Sequence, residues 1–259
     1  MKIYRFRYRR KVLTGVLKEE FLFPVKGSIY RDFRIEDSAI PIADVRLLPP
    51  VLPTKIIGVG TNYRDHAAEM GKPEPEEPLL FLKAPSALIG PFDKIVAPDK
   101  AGRVDYEGEL ALVIRKKARR LREDEDVTPY ILGYCCFNDV TARELQKKDV
   151  QFTRAKSFDT FAAAGPCVAT GLDPADLRIK TFVNGKLVQS GQTSNLIFSV
   201  PYLVRFISRI MTLCPGDMIT TGTPAGVGPL SHGDRVDVQV EGVGILSNVF
   251  VRSNEKEAA

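Results

Sequence analysis

Apolar positions along this chain fall mainly into short runs of strand length, and only a few stretches repeat at helical spacing. From residue 79 onward the runs LLFLK, ALIG, KIVAP, GELALVI, YILGYCCFND, IKTFVNGKLVQ, DMITTG and RVDVQVEGVGILSNVFV follow one another. Gly, Pro, Asp and Asn separate them, as expected between strands. KIIGVG (55–60) is a further short apolar strand ahead of this series. Within KTFVNGKLVQ, Asn184-Gly185 predicts a tight hairpin, because both residues tolerate positive φ. Helical spacing predicts a helix over VPYLVRFISRIMTL (200–213), stopped at CPGD, and another over TARELQKKDV (141–150). NYRDHAAEMG predicts a short third helix ended by Gly71. The pattern is that of a β-rich α+β chain with few helices, built on a folded or rolled sheet.

Residues 1–48 alternate in short stretches such as YRFRYRRKVLTGVL, and prolines at 41, 49, 50 and 53 mark a boundary. We expect a small β-containing N-terminal domain over 1–50 and a catalytic domain over 51–259. After the first short helix, KPEPEEP carries Pro73, Pro75 and Pro78 and predicts an irregular, mobile segment.

Composition then excludes several function classes. The net charge is +5, and the densest basic run is RKKARRLRE (115–123). It lies beside the acidic DEDVTPY and has no interleaved aromatics, so a solvated turn explains it and no nucleic-acid partner is expected. A mild positive field favours small anionic substrates instead. No apolar run is long enough to cross a bilayer, and MKIYRFRYRRKVL lacks a signal-peptide core, so a cytoplasmic location without membrane contact is expected. Four cysteines form no C-x-x-C pair and read as buried reduced thiols. With only His66 and His232, multi-histidine metal sites are excluded. GVGTNY has Tyr63 where a dinucleotide fingerprint needs its third glycine, GTPAGVG lacks a following Gly-Lys-Ser/Thr, and no G-x-S-x-G elbow exists.

The most informative stretch is VDYEGELALVI (104–114). Strand alternation aims Asp105, Glu107 and Glu109 the same way, with the Cα atoms of the two glutamates roughly 6.5–7 Å apart. Carboxylates so close repel each other, unless a hard divalent cation such as magnesium, manganese or calcium joins them. The alternative is a solvated strand end whose acids meet Arg or Lys. YILGYCCFND delivers Asn138 and Asp139 just ahead of a predicted helix. There Asp139 is either a third oxygen ligand or, like Thr141, a helix N-cap. His66 and Glu69, three apart on a short helix, share one face, where a carboxylate raises imidazole basicity and orients the ring. A surface His beside an acid is the other reading of that pair.

The motifs IIGVGTNYRDHAAEMG, PLLFLKAPSALIG, VDYEGELALVI, GYCCFNDVTARELQ, FTRAKSFDTFAAAGP, VNGKLVQSGQTSNLIFSVPYLV and PGDMITTGTPAGVG, in this order, carry a resemblance. Over about residues 50–251 the chain resembles the fumarylacetoacetate hydrolase superfamily, in the branch of acylpyruvases, oxaloacetate decarboxylases and hydroxyheptadienedioate isomerases. The resemblance implies a mixed β-roll, commonly assembled as a homodimer. It also implies a metal site of Glu107, Glu109 and Asp139 holding magnesium or manganese, with calcium as a non-native occupant. His66 and Glu69 take the position of the family's dyad on a lid over the substrate. Lys156 takes that of a lysine against the metal-bound substrate, and Gln146 and Thr223 match substrate-contact positions. Arg64 and Tyr63 fall near the lid.

The implied substrate is a small 2-oxo or 2,4-dioxo acid of the kind met in the breakdown of aromatic compounds. Hydrolysis of a C–C bond in an acylpyruvate or fumarylpyruvate, through a metal-bound enolate, is the first expectation. Isomerisation of a 2-hydroxyhepta-2,4-diene-1,7-dioate and decarboxylation of an oxaloacetate-type acid are the alternatives. Some pyruvate-cleaving members carry arginine immediately before NY, where this chain has Thr61. A metal-dependent dicarboxylate binder without turnover is the competing class, although a binder has no use for a base.

Overall fold

A run as apolar as GELALVI suits a strand covered on both faces. The computed structural model, which describes residues 1–71 and 73–253, has every residue of the strand Gly108–Ile114 buried. Lys72, in the expected irregular segment, and residues 254–259, at the end of the expected catalytic domain, lie outside the described residues. Gly108–Ile114 is flanked by antiparallel Ile131–Asp139 and Met218–Thr220. Around it runs a 13-stranded sheet whose path continues through Ile56–Gly60 to Leu79–Lys83 on one side. On the other side it passes through Ala162–Ala169 to Lys2–Tyr8, Lys11–Lys18, Phe21–Gly27 and Phe33–Ile35. Residues 1–50 thus extend the large sheet, through pairing of Lys2 and Ile3 with Ala169 and Val168.

A second sheet orders Lys94–Pro98, Gly244–Ser253, Arg235–Val240, Arg178–Val183 and Lys186–Gln192. Its inward residues Ile179, Val238, Val240 and Leu246 share one buried cluster with Leu110, Leu112 and Cys136 of the first sheet. This packed pair of sheets is the expected rolled, β-rich α+β architecture. The predicted hairpin turns at Asn184 (φ 51°) and Gly185 (φ 79°). The helix Val200–Ile210 buries Leu203, Val204 and Ile207 and stops three residues before the predicted end, because Leu213 bridges to Ala118. Among the described residues no helix is long and apolar enough to cross a membrane.

Two expectations are corrected near the acidic stretch. The helix predicted over 141–150 spans only Arg143–Lys148, because Thr141 and Ala142 pair with Asp105 and Val104 as a short ladder. Neither Asp139 nor Thr141 caps it; Ala142 holds the N-cap position with no side-chain cap. Alternation through 104–114 is also broken at Glu107. Val104–Tyr106 belongs to a small three-stranded sheet with Thr141–Ala142 and Gly228–Pro229, and Gly108–Ile114 belongs to the large one.

The break is held by buried side chains. The Glu107 amide donates to Asn138 Oδ1 at 3.0 Å, and the Gly108 amide donates to Gln189 Oε1 at 3.0 Å. Gly108 has no room for a side chain, since a Cβ there would lie 2.0 Å from Thr181 Oγ1. We therefore expect Gly108→Ala to destabilise the protein by about 1–3 kcal/mol and to weaken divalent-metal binding by displacing Glu107. Denaturant unfolding and calorimetric metal titration measure the two effects.

Candidate metal centre and active site

The break in the acidic strand sets up the site. Glu107 stands at the junction and Glu109 two residues on, while Asp139 ends the neighbouring strand, where Gly108 pairs with Asn138. The three carboxylates are buried and each offers an oxygen within 4.8 Å of the others.

Their charges are not compensated equally. Lys156 Nζ donates to Glu107 Oε2 at 2.8 Å, Asp139 Oδ2 at 2.6 Å and Thr141 Oγ1 at 2.8 Å. Buried Lys83 pairs with the other oxygen of Asp139 and donates to the Val140 carbonyl at 3.3 Å. Arg143 forms a 2.6 Å ion pair with Glu107 Oε1. Among the described residues Glu109 accepts only the Gly222 amide, at 2.9 Å. Burial would push the Glu107 carboxyl up, but Lys156 and Arg143 outweigh it and hold the group down to about 2. Burial pushes Glu109 well above 4.5, and the Asp139 and Glu107 charges push the same way. Burial lowers Lys83, against the pull of Asp139. For Lys156 the attraction of Asp139 and Glu107 overcomes burial and raises it.

This donor set fits a hard divalent ion. Among the described residues three carboxylate oxygens converge, no sulfur or imidazole joins them, and Glu109 has no cation of its own, so magnesium or manganese suits the site better than zinc. Glu107, Glu109 and Asp139 are the residues that would hold it.

Across the cavity stands the short helix Arg64–Glu69. His66 Nδ1 lies 2.9 Å from Glu69 Oε2, and Glu69 Oε1 accepts the Gly226 amide at 3.0 Å. The tautomer that donates from Nδ1 to Glu69 leaves Nε2 as the basic nitrogen. His66, the three carboxylates and Lys156 all line one cavity of about 880 Å³.

The remaining nominated residues divide. Gln146 lines the cavity and accepts from Arg143 at 3.0 Å. Thr223 also lines it, but its hydroxyl is engaged, donating to the Gly108 carbonyl at 2.9 Å and accepting from Gln189 at 2.8 Å. Tyr63 and Arg64 are not brought to the cavity. Tyr63 is fully buried, and Arg64 donates to the Leu196 carbonyl at 2.9 Å and meets Glu74 at 3.4 Å. They secure the root of the helix that carries His66.

Lys83, Arg143 and Gln189 are the residues that sequence reasoning missed, and Asp105 is one that it singled out without a role. Lys83 ends the apolar run LLFLK and reads as a solvated strand end, and Arg143 reads as an exposed residue in the first turn of the predicted helix. Asp105 does not converge with the two glutamates on a cation. It accepts both nitrogens of the Arg103 fork, at 2.8 and 3.0 Å, and Arg143 Nε at 2.9 Å. Arg143 is thereby fixed against Glu107. Gln189 ties the loop after Thr220 to Gly108, through Thr223 and the Pro224 carbonyl at 2.9 Å.

A pH-dependent stability follows from Glu109. Its folded pKa lies above 4.5, so the unfolded chain releases the proton first and metal-free stability falls as pH rises above 4.5. Glu107, already ionised there, adds no change in that range. Magnesium favours the ionised form, so its stabilising effect should grow over the same rise. Glu109→Gln should raise the Tm in chelator, by about 2–4 °C per kcal/mol recovered, and abolish the magnesium-induced shift. Thermal melts with chelator or magnesium across pH test this; a shift surviving in the variant contradicts it.

Comparison with known proteins identifies the family and the fold. Residues 55–251 match the family described as fumarylacetoacetate (FAA) hydrolase C-terminal, and residues 1–50 match one described as Rv2993c-like, N-terminal. An Archaeoglobus fulgidus protein is 58% identical, covering 89% of this chain and 95% of its own. The oxaloacetate tautomerase YisK of Bacillus subtilis is 42% identical, covering 80% of this chain and 73% of its own. The crystal structure of 2-hydroxyhepta-2,4-diene-1,7-dioate isomerase from Mycobacterium marinum superposes with a TM-score of 0.91 at 40% identity, covering 98% and 99% of the two chains. The chain belongs to the fumarylacetoacetate hydrolase family and has that family's β-rich α+β fold.

Proposed function

We propose that this protein is a divalent-metal-dependent enzyme that interconverts the enol and keto forms of a small 2-oxo acid. The observation that carries the reading is the meeting of a His–Glu pair, a buried lysine and a carboxylate triangle in one cavity. Relatives about 40% identical are named tautomerase and isomerase, which moves proton transfer ahead of the hydrolysis expected first. A magnesium or manganese ion held by Glu107, Glu109 and Asp139 would supply Lewis-acid polarisation of the 2-oxo group.

The chain's own residues supply the rest. His66 Nε2 takes the enol hydroxyl proton and a proton is returned to C3, so no heavy-atom bond breaks and the balance closes. Glu69 holds the imidazole ring and stabilises it when charged, and Gly226 holds Glu69. Lys156 presents a fixed cation where negative charge develops on the substrate oxygen. Burial of this floor keeps water from weakening that interaction.

The second reading is hydrolysis of a C–C bond in an acylpyruvate or fumarylpyruvate. The dyad favours it too, because the same nitrogen that accepts an enol proton can deprotonate water. Decarboxylation needs no base and leaves His66 and Glu69 idle, as does a binder without turnover. A homodimer and a cytoplasmic location, both carried over from the sequence, belong to this proposal.

Loss of enol absorbance from 2-oxo acids, and cleavage of acylpyruvates, can be followed with magnesium, manganese or chelator. We expect His66→Ala to bind metal as the parent does while losing about 10²–10⁴-fold in kcat/KM. Glu107→Ala should lose both metal binding and turnover. Full activity in His66→Ala on the best substrate removes the proposed base, and cleavage without enol turnover favours hydrolysis.

A further inference from the structure

The cavity is chemically two-sided. Its floor is ionic, with Glu107, Glu109, Asp139 and Lys156, but the wall toward the mouth is built from Met70, Pro73, Pro75, Leu79, Phe81 and Phe152. Phe81 joins the two regions. Its ring lies 4.7 Å from Lys156 Nζ and packs edge-on against Phe152, with centroids 5.8 Å apart. Met70 and Leu79 leave 51% of their surface open to solvent at the mouth. Large apolar side chains exposed along the rim of a cleft mark a surface that a ligand covers.

Size points the same way. About 880 Å³ lies toward the top of the roughly 300–1,000 Å³ range of sites for drug-sized ligands, far beyond the need of a four-carbon acid. Among the described residues buried Lys156 is already engaged by Glu107 and Asp139, half-buried Arg143 by Asp105 and Glu107, and exposed Arg103 by Asp105. Lys147 is exposed, lines the same cavity and is the described group that a second carboxylate would use.

Resting on the proposed 2-oxo-acid chemistry, we infer that the substrate carries a bulky apolar substituent at C3, an aromatic ring fitting best. The 2-oxo carboxylate end lies over the ionic floor, and the substituent lies along the wall of Met70, Leu79, Phe81 and Phe152. Aromatic edges there offer a flat group both contact area and favourable ring geometry.

The test compares the enol forms of phenylpyruvate and oxaloacetate with the full-length protein and magnesium, against a metal-only background. Phenylpyruvate should be turned over with kcat/KM about tenfold or more above oxaloacetate, the discrimination an apolar pocket provides. Leu79→Asp should lower the phenylpyruvate value about tenfold more than the oxaloacetate value. If that edge-strand variant does not fold, Met70→Asp makes the same comparison from the other exposed apolar residue of the lining. Equal turnover, or a preference for oxaloacetate that Lys147→Ala removes, overturns the inference while leaving the proposed function standing. Acceleration of neither substrate overturns the proposed function and the inference with it.

Discussion

Three carboxylates buried within 4.8 Å of one another are the constraint on which the rest of this structure turns. Without cations the arrangement is strongly unfavourable, since each charge loses hydration and meets like charges at short range. The protein answers with buried Lys156 and Lys83 and half-buried Arg143, which together satisfy Glu107 and Asp139. Among the described residues Glu109 is left with a single backbone amide. That asymmetry would suit the cluster to a further cation, because the uncompensated charge is localised on one inward carboxylate.

The surrounding fold keeps these charges in place. Asp105 and Glu107 lie in one acidic stretch, yet a break between two sheets gives them different work: Asp105 anchors Arg143, and Glu107 receives it. Gln189, from the hairpin of the second sheet, reaches both the Gly108 amide at the break and the loop bearing Thr223. The same loop donates Gly222 to Glu109 and Gly226 to Glu69. One short segment therefore touches both the carboxylate cluster and the His66–Glu69 pair. Such a shared support ties the positions of the His66–Glu69 pair and the carboxylates together without a direct bond between them.

Much of this was legible in the residues themselves. Period-two runs and Asn184-Gly185 report local backbone preference, and the strands and hairpin follow them. The all-apolar Leu110–Ile114 demanded a central strand. Glu107 and Glu109, two apart on that strand, announced themselves because acids at the head of a buried run need a reason. Spacing left a metal site and a solvated end open, and the family motifs named Asp139 as a ligand. Less visible were contacts that depend on distant segments. Lys83 and Arg143 look like ordinary surface charges, and only the sheet order brings them against Asp139 and Glu107. The same holds for Thr141, where pairing with Asp105 overrides the helical pattern of 141–150. Tyr63 and Arg64 matched by motif, but their side chains pack under and beside the His66 helix.

The central claim is that Glu107, Glu109 and Asp139 form one hard-cation site. Its most direct test is a crystal of the protein soaked in manganese, with diffraction recorded for manganese anomalous scattering. The account predicts one strong peak bounded by carboxylate oxygens of all three residues. A peak elsewhere, or none there at saturating manganese, would contradict it.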